Sequence, residues 1–163
     1  MKRFSSALFA LALLLAPGAA GAHEVTAGPF EITHPHSRFT PKGAPNGVVY
    51  MVIENTGKEA DRLIGASTPR AERAEIHETV QKGEVFSMRP REAVDLVPGD
   101  IVEFASGGLH LMLMKLTQPL VAGERYPLTL RFEKAGEFTF EVEVEGKDAA
   151  ADDDGGHRGH HGD

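Results

Sequence analysis

Cysteine and tryptophan are absent from this 163-residue chain, and tyrosine occurs only twice. Without cysteine there is no disulfide, no thiolate metal ligand and no blue-copper electron-transfer centre, which needs a Cys sulfur. Packing alone must hold the fold. Cationic side chains are also in the minority: 17 Lys and Arg stand against 24 Asp and Glu, a formal charge of −7. An acidic surface argues against nucleic acid or an anionic membrane as a partner. Beyond the N-terminal residues the chain has no long apolar run, no sustained helical period and no internal repeat. No later segment is therefore expected to span a membrane.

The first residues read as a secretory signal peptide. Lys2 and Arg3 form a short basic region, and Leu8 to Ala16 is an apolar run too short to cross a bilayer. Ala20-Gly21-Ala22 is an A-x-A cleavage site. The expected product is periplasmic or extracellular, is cleaved after Ala22 and begins at His23. There is no cysteine to form a lipobox. Losing Lys2 and Arg3 takes the formal charge from −7 to −9. The domain reading is residues 1–22 as signal peptide, 23–146 as one β domain, and 147–163 as a flexible Asp/Gly/His-rich tail.

The middle of the chain reads as all-β. Gly47–Asn55, Asp61–Ser67, Ala74–Val80, Ile101–Phe104 and Leu109–Leu116 are strand candidates bounded by turn residues. Gln81-Lys82-Gly83-Glu84 predicts a hairpin over Ala74–Met88. Leu128, Leu130 and Phe132 alternate with polar residues, as do Phe138, Phe140, Val142 and Val144. Period two with one polar face marks antiparallel sheet solvated on one side. Seven or more such strands predict a sandwich or Greek-key barrel.

Within Leu109–Met114, the leucines at 109, 111 and 113 share one strand face, and His110, Met112 and Met114 share the other. His77 and Met88 sit on opposite arms of the expected hairpin, near its open end. Two imidazoles and two thioethers suit a soft monovalent ion, above all Cu(I). Taken singly, each histidine reads as a satisfied or surface residue and each methionine as core filler. Spacing by itself leaves both readings open. Met114 is an additional thioether candidate, and Met51, in a strong strand, reads as packing. His34 and His36 read as exposed histidines of a proline-containing loop, with His36 a candidate extra ligand.

His77, ten residues, Met88, twenty-one residues, His110, one residue, Met112 resembles the H-x10-M-x21-H-x-M pattern of the periplasmic PCu(A)C copper chaperones. The segments Ile32-Thr33-His34-Pro35, Gly47–Gly57, Ala74–Glu78 and Gly107–Met112 are similar to that family as well, and the likeness runs from about Val25 to Val144. The resemblance implies a cupredoxin-like β-barrel that binds one Cu(I) through these two His and two Met. It implies delivery of copper to the cytochrome c oxidase subunit carrying the CuA centre, sometimes beside a Sco-type copper protein. It does not imply an enzyme. His36 departs from the pattern, since the family often has an aromatic residue after His-Pro.

The tail carries His157, His160 and His161 beside Asp152, Asp153 and Asp154. Such a set suits a borderline divalent ion such as Cu(II), and some members of the resembled family have His-rich extensions linked to Cu(II). Besides a structural adhesion or scaffold domain, in which the four ligands could be changed to Ala without loss, two rival readings remain at this stage. One is periplasmic copper buffering or resistance without specific delivery. The other is a copper enzyme using the α-amine and imidazole of a mature N-terminal His23.

Overall fold

The computed structural model describes residues 24–146. The expected signal peptide, His23 and the tail with His157, His160 and His161 lie outside them. The described residues form eleven strands and no helix: β1 (Glu24–Ala27), β2 (Phe30–Arg38), β3 (Asn46–Asn55), β4 (Asp61–Ser67), β5 (Ala71–Lys82), β6 (Val85–Pro90), β7 (Val94–Leu96), β8 (Ile101–Phe104), β9 (Leu109–Leu116), β10 (Arg125–Phe132) and β11 (Gly136–Glu145). No helix of the described residues is long and apolar enough to cross a membrane.

Alternation builds the sheet. In β3 the odd-numbered residues from Gly47 to Asn55 are buried and the residues between them are not. β10 and β11 form the expected hairpin, with Leu128 opposite Phe140 and Leu130 opposite Phe138. Its turn ends at Gly136, whose φ of 90° suits a residue without Cβ. The sheet runs β5-β9-β8-β3-β2-β11-β10-β4 and closes where Ala66 of β4 meets Ala74 of β5. Most pairs are antiparallel, but β11–β2 and β8–β9 are parallel. The closed barrel is filled by large apolar side chains, among them Phe30, Ile32, Ile53, Leu63, Phe104, Leu111, Leu113 and Phe132. Phe30 and Phe132 stack with centroids 4.0 Å apart. Met51 is 2% exposed and belongs to this core, as expected.

Three strands were not legible as strands. β1 has four residues and β7 three, too short for a period to register. β2 contains Pro35 and a bulge between Thr33 and His36, which interrupts its alternation. His34 and His36 therefore lie in a strand and not in a loop. β6 is an edge strand, paired only with β5, and every residue of it is exposed.

Asn55 and Asp61 are saturated in the frame, whereas the buried hydroxyls of Ser37 and Tyr126 have no hydrogen-bond partner. The Asn55 amide donates to the carbonyl oxygens of Glu59 and Leu96, and its Oδ1 accepts from the Gly57 N–H. Asp61, 5% exposed, accepts backbone N–H bonds from Arg62, Lys134 and Ala135 at 2.7, 2.9 and 2.9 Å. Burial pushes the Asp61 carboxyl up, but those three donors and the Lys134 charge outweigh it and hold it below the ordinary value.

Candidate metal centre

β5 and β9 pair in a register that sets His77 directly opposite His110 and Glu75 directly opposite Met112. Ile76 pairs with Leu111 and points into the core, so the residues on either side of it point out of the barrel. His77, His110, Glu75 and Met112 thus share one outer patch. The two imidazole centroids are 6.0 Å apart with planes at 54°.

Each ring has one nitrogen engaged and one free. His110 Nδ1 lies 3.1 Å from the Gly108 carbonyl oxygen. That oxygen can only accept, so Nδ1 carries the proton and Nε2 presents a lone pair. His77 Nε2 lies 3.2 Å from Glu75 Oε2, which leaves Nδ1 as the lone pair of the neutral ring. Both free atoms, His77 Nδ1 and His110 Nε2, are buried and have no hydrogen-bond partner. A buried polar atom without a partner is costly. Metal-ligating histidines characteristically fix one nitrogen on a carboxylate or carbonyl and offer the other to the ion. Glu75 and Gly108 are those supports. Sequence reasoning did not single them out, although each stands two residues before its histidine, on the same strand face or just ahead of it.

The sulfur candidates differ from each other. Met112 is part-buried in β9, next to His110 on the same face. Met88 lies on β6 and is 63% exposed. The expected hairpin is present, but His77 stands opposite Pro90, and Met88 stands opposite Thr79. Met88 is therefore a diagonal same-face neighbour of His77, within reach of a long side chain. Met114 lies one further step along β9, where the Arg73 guanidinium approaches its sulfur at 3.7 Å. A fixed cation there disfavours a second one.

His34 and His36 are not part of this patch. They cluster with Glu145, their donor atoms all within 4.8 Å of one another. His36 pairs with Tyr50 on β3, and β3 separates β2 from β9.

Comparison with known proteins agrees with this architecture. Residues 30–144 match the family model LpqE-like (“Putative lipoprotein LpqE-like”). Lxx21020 of Leifsonia xyli subsp. xyli is 37% identical over 81 residues, 49% of each chain. The chain spans about half the length of the curated relatives it matches. Among solved structures, the copper-bound PCuAC domain from PmoF2 superposes with a TM-score of 0.66 at 31% identity, covering 76% of this chain and 98% of that one. The Cu(I) form of DR1885 from Deinococcus radiodurans gives a TM-score of 0.55 at 25% identity, covering 79% of this chain and 86% of that one. An outward His pair with bare, buried nitrogens on a closed, cupredoxin-like barrel is thus found in a chain that belongs to the LpqE-like family of PCuAC-type copper chaperones.

Proposed function

We propose that this chain is an exported copper carrier that holds Cu(I) on His77, Met88, His110 and Met112 and releases it to a recipient site. The observation that carries the reading is the pair of buried, unpartnered nitrogens, His77 Nδ1 and His110 Nε2, on directly paired residues of β5 and β9. Two neutral imidazoles would anchor the ion. The thioethers of Met112 and Met88 add soft donors that favour Cu(I) over Cu(II) and Zn(II). Copper is the metal that two structurally similar PCuAC proteins are named as holding.

The geometry also favours transfer over storage. Met88 is on an exposed edge strand, so its sulfur is the ligand most open to replacement by a partner's donor. Val85 and Phe86 beside it are 67% and 64% exposed, an apolar landing surface around that ligand. We take the recipient to be the CuA-bearing subunit of cytochrome c oxidase, with a Sco-type protein as a second partner in the relay. The compartment is the periplasm, in keeping with the signal-like N-terminus and the lipoprotein name of the family. The tail residues His157, His160 and His161 are proposed to capture Cu(II).

The test is anaerobic Cu(I) competition against a chromogenic chelator. It compares the parent, Met88→Ala/Met112→Ala, and the chain ended after Lys147. One Cu(I) per chain, lost in the double variant and kept without the tail, is expected. Unchanged binding in the double variant would sink the four-ligand reading. For delivery, a deletion strain that loses oxidase CuA and is rescued only by a Cu(I)-competent chain is expected. Normal oxidase combined with copper sensitivity would point to buffering instead.

A further inference from the structure

We propose a second metal site in this chain, built from His34, His36 and Glu145 and suited to a borderline divalent cation such as Cu(II) or Zn(II). It does not rest on the Cu(I) reading, because it shares no residue with that site.

The bulge in β2 creates the cluster. Between Thr33 and His36 the strand carries one residue more than its partner β3 spans between Val52 and Tyr50. His34 takes up the extra residue with a φ of 51°, in the left-handed region that non-glycine residues rarely adopt. Pro35 turns inward and is buried, while His34 and His36 both face outward. Strict alternation would put Thr33 and Pro35 on one face and His34 and His36 on the other, so with Thr33 outside both histidines would point into the barrel. The bulge keeps Thr33 outside and still brings His34 beside His36. Their rings stack with centroids 4.2 Å apart, and the Tyr50 ring lies tilted against His36, with centroids 5.5 Å apart. Strained residues and bulges of this kind cluster at binding sites.

The third group comes from the neighbouring strand. β11 runs parallel to β2, with Glu143 beside His36 and Glu145 beside Arg38, which puts Glu145 on the same outward face. Glu145 Oε1 is 2.7 Å from His34 Nε2, and its Oε2 is 3.8 Å from His36 Nε2. His36 Nδ1 lies 2.9 Å from the His34 carbonyl oxygen, so Nδ1 bears the proton. In the neutral ring this leaves two electron-pair donors, His36 Nε2 and Glu145 Oε2, facing each other with no hydrogen between them. A cation resolves that opposition. Two nitrogens and a carboxylate, without sulfur, are a harder set than the His/Met patch and match borderline divalent ions. The side chains of His34, His36 and Glu145 are 54%, 17% and 21% exposed, so an ion can enter and water can complete its shell. The site lies on the outer face of the same barrel as the His77/His110 patch, one strand away across β3.

Cu(II) is the probe. The protein is the full chain with His157→Ala, His160→Ala and His161→Ala, so that tail histidines do not compete. Binding is measured by competition with glycine, and ligation by electron paramagnetic resonance. The expected parent binds one Cu(II) with hyperfine coupling to two nitrogens. Adding His36→Ala or Glu145→Gln lowers affinity at least about 10-fold, since even loss of an outer support costs that much. Adding His77→Ala leaves affinity and spectrum unchanged. Metal-free melting curves check folding. If His36→Ala does not fold, His34→Ala, at a half-exposed position, is read in the same way. Equal affinity and an unchanged spectrum in folded His36→Ala or His34→Ala and in Glu145→Gln would overturn the proposal and leave the cluster as an ion pair. So would loss of the signal in His77→Ala.

Discussion

Asp61 and the His77/His110 pair both bury polar atoms, and those atoms are finished differently. Asp61 sits at the head of β4 and receives three backbone N–H donors, two of them from the β10–β11 turn. Its carboxylate spends its lone pairs on the frame. The histidines spend one nitrogen each on the frame and keep the other bare. A fold gains nothing by burying an atom it does not satisfy. The difference separates a group that holds the barrel together from a pair that waits for something outside the polypeptide.

The contrast can be broken first at Asp61. Asp61→Ala removes the acceptor of three part-buried N–H groups and should cost about 3 kcal/mol in denaturant unfolding. A loss below about 1 kcal/mol would mean that the clamp is not structural. The same residue has a pH signature. Its folded-state pKa is lowered, so its contribution is present above the unfolded value of about 3.9 and fades as pH falls through the folded value. Asp61→Asn should therefore flatten the acid limb of stability below about pH 4, measured as unfolding midpoint against pH.

Smaller effects sharpen the other half. Glu75→Ala removes the acceptor at His77 Nε2 and should weaken Cu(I) about 10-fold, or about 1.4 kcal/mol, with little change in metal-free stability. An equal loss of stability would make Glu75 a structural residue. His110→Leu replaces a ring with an unsatisfied atom by an apolar group, and the Gly108 carbonyl still accepts the Thr79 N–H. Metal-free stability should change by less than about 1 kcal/mol while Cu(I) binding is lost. Met88→Leu, on an exposed edge strand, should stay within about 0.5 kcal/mol of the parent in stability. Its effect should appear only in Cu(I) affinity and transfer rate.

Most of the barrel was legible from alternation. β3, β4, β8 and β9 fall where the pattern of apolar and polar residues sets them, because a period-two strand with one buried face has one way to lie. The β10–β11 hairpin followed from the same signal. β2 escaped because its bulge breaks the period, and β1 and β7 because three or four residues carry none. At the site, residue type suggested two imidazoles and two thioethers, spacing left that reading open, and the resemblance to the H-x10-M-x21-H-x-M pattern singled them out. Strand alternation also placed His110 and Met112 together, since positions i and i+2 of a strand share a face.

Register was the missing quantity. Whether His77 meets His110 or Met88 depends on how β5 pairs with strands on both sides, and nothing within β5 states it. Local sequence determined which side chains leave the core and what chemistry they can offer. Only the closed sheet decided that His77 stands across from His110 and that His34 and His36 meet Glu145 more than a hundred residues away. Those contacts arise from pairing between distant strands, which depends on the barrel closing and so cannot be read from any one segment.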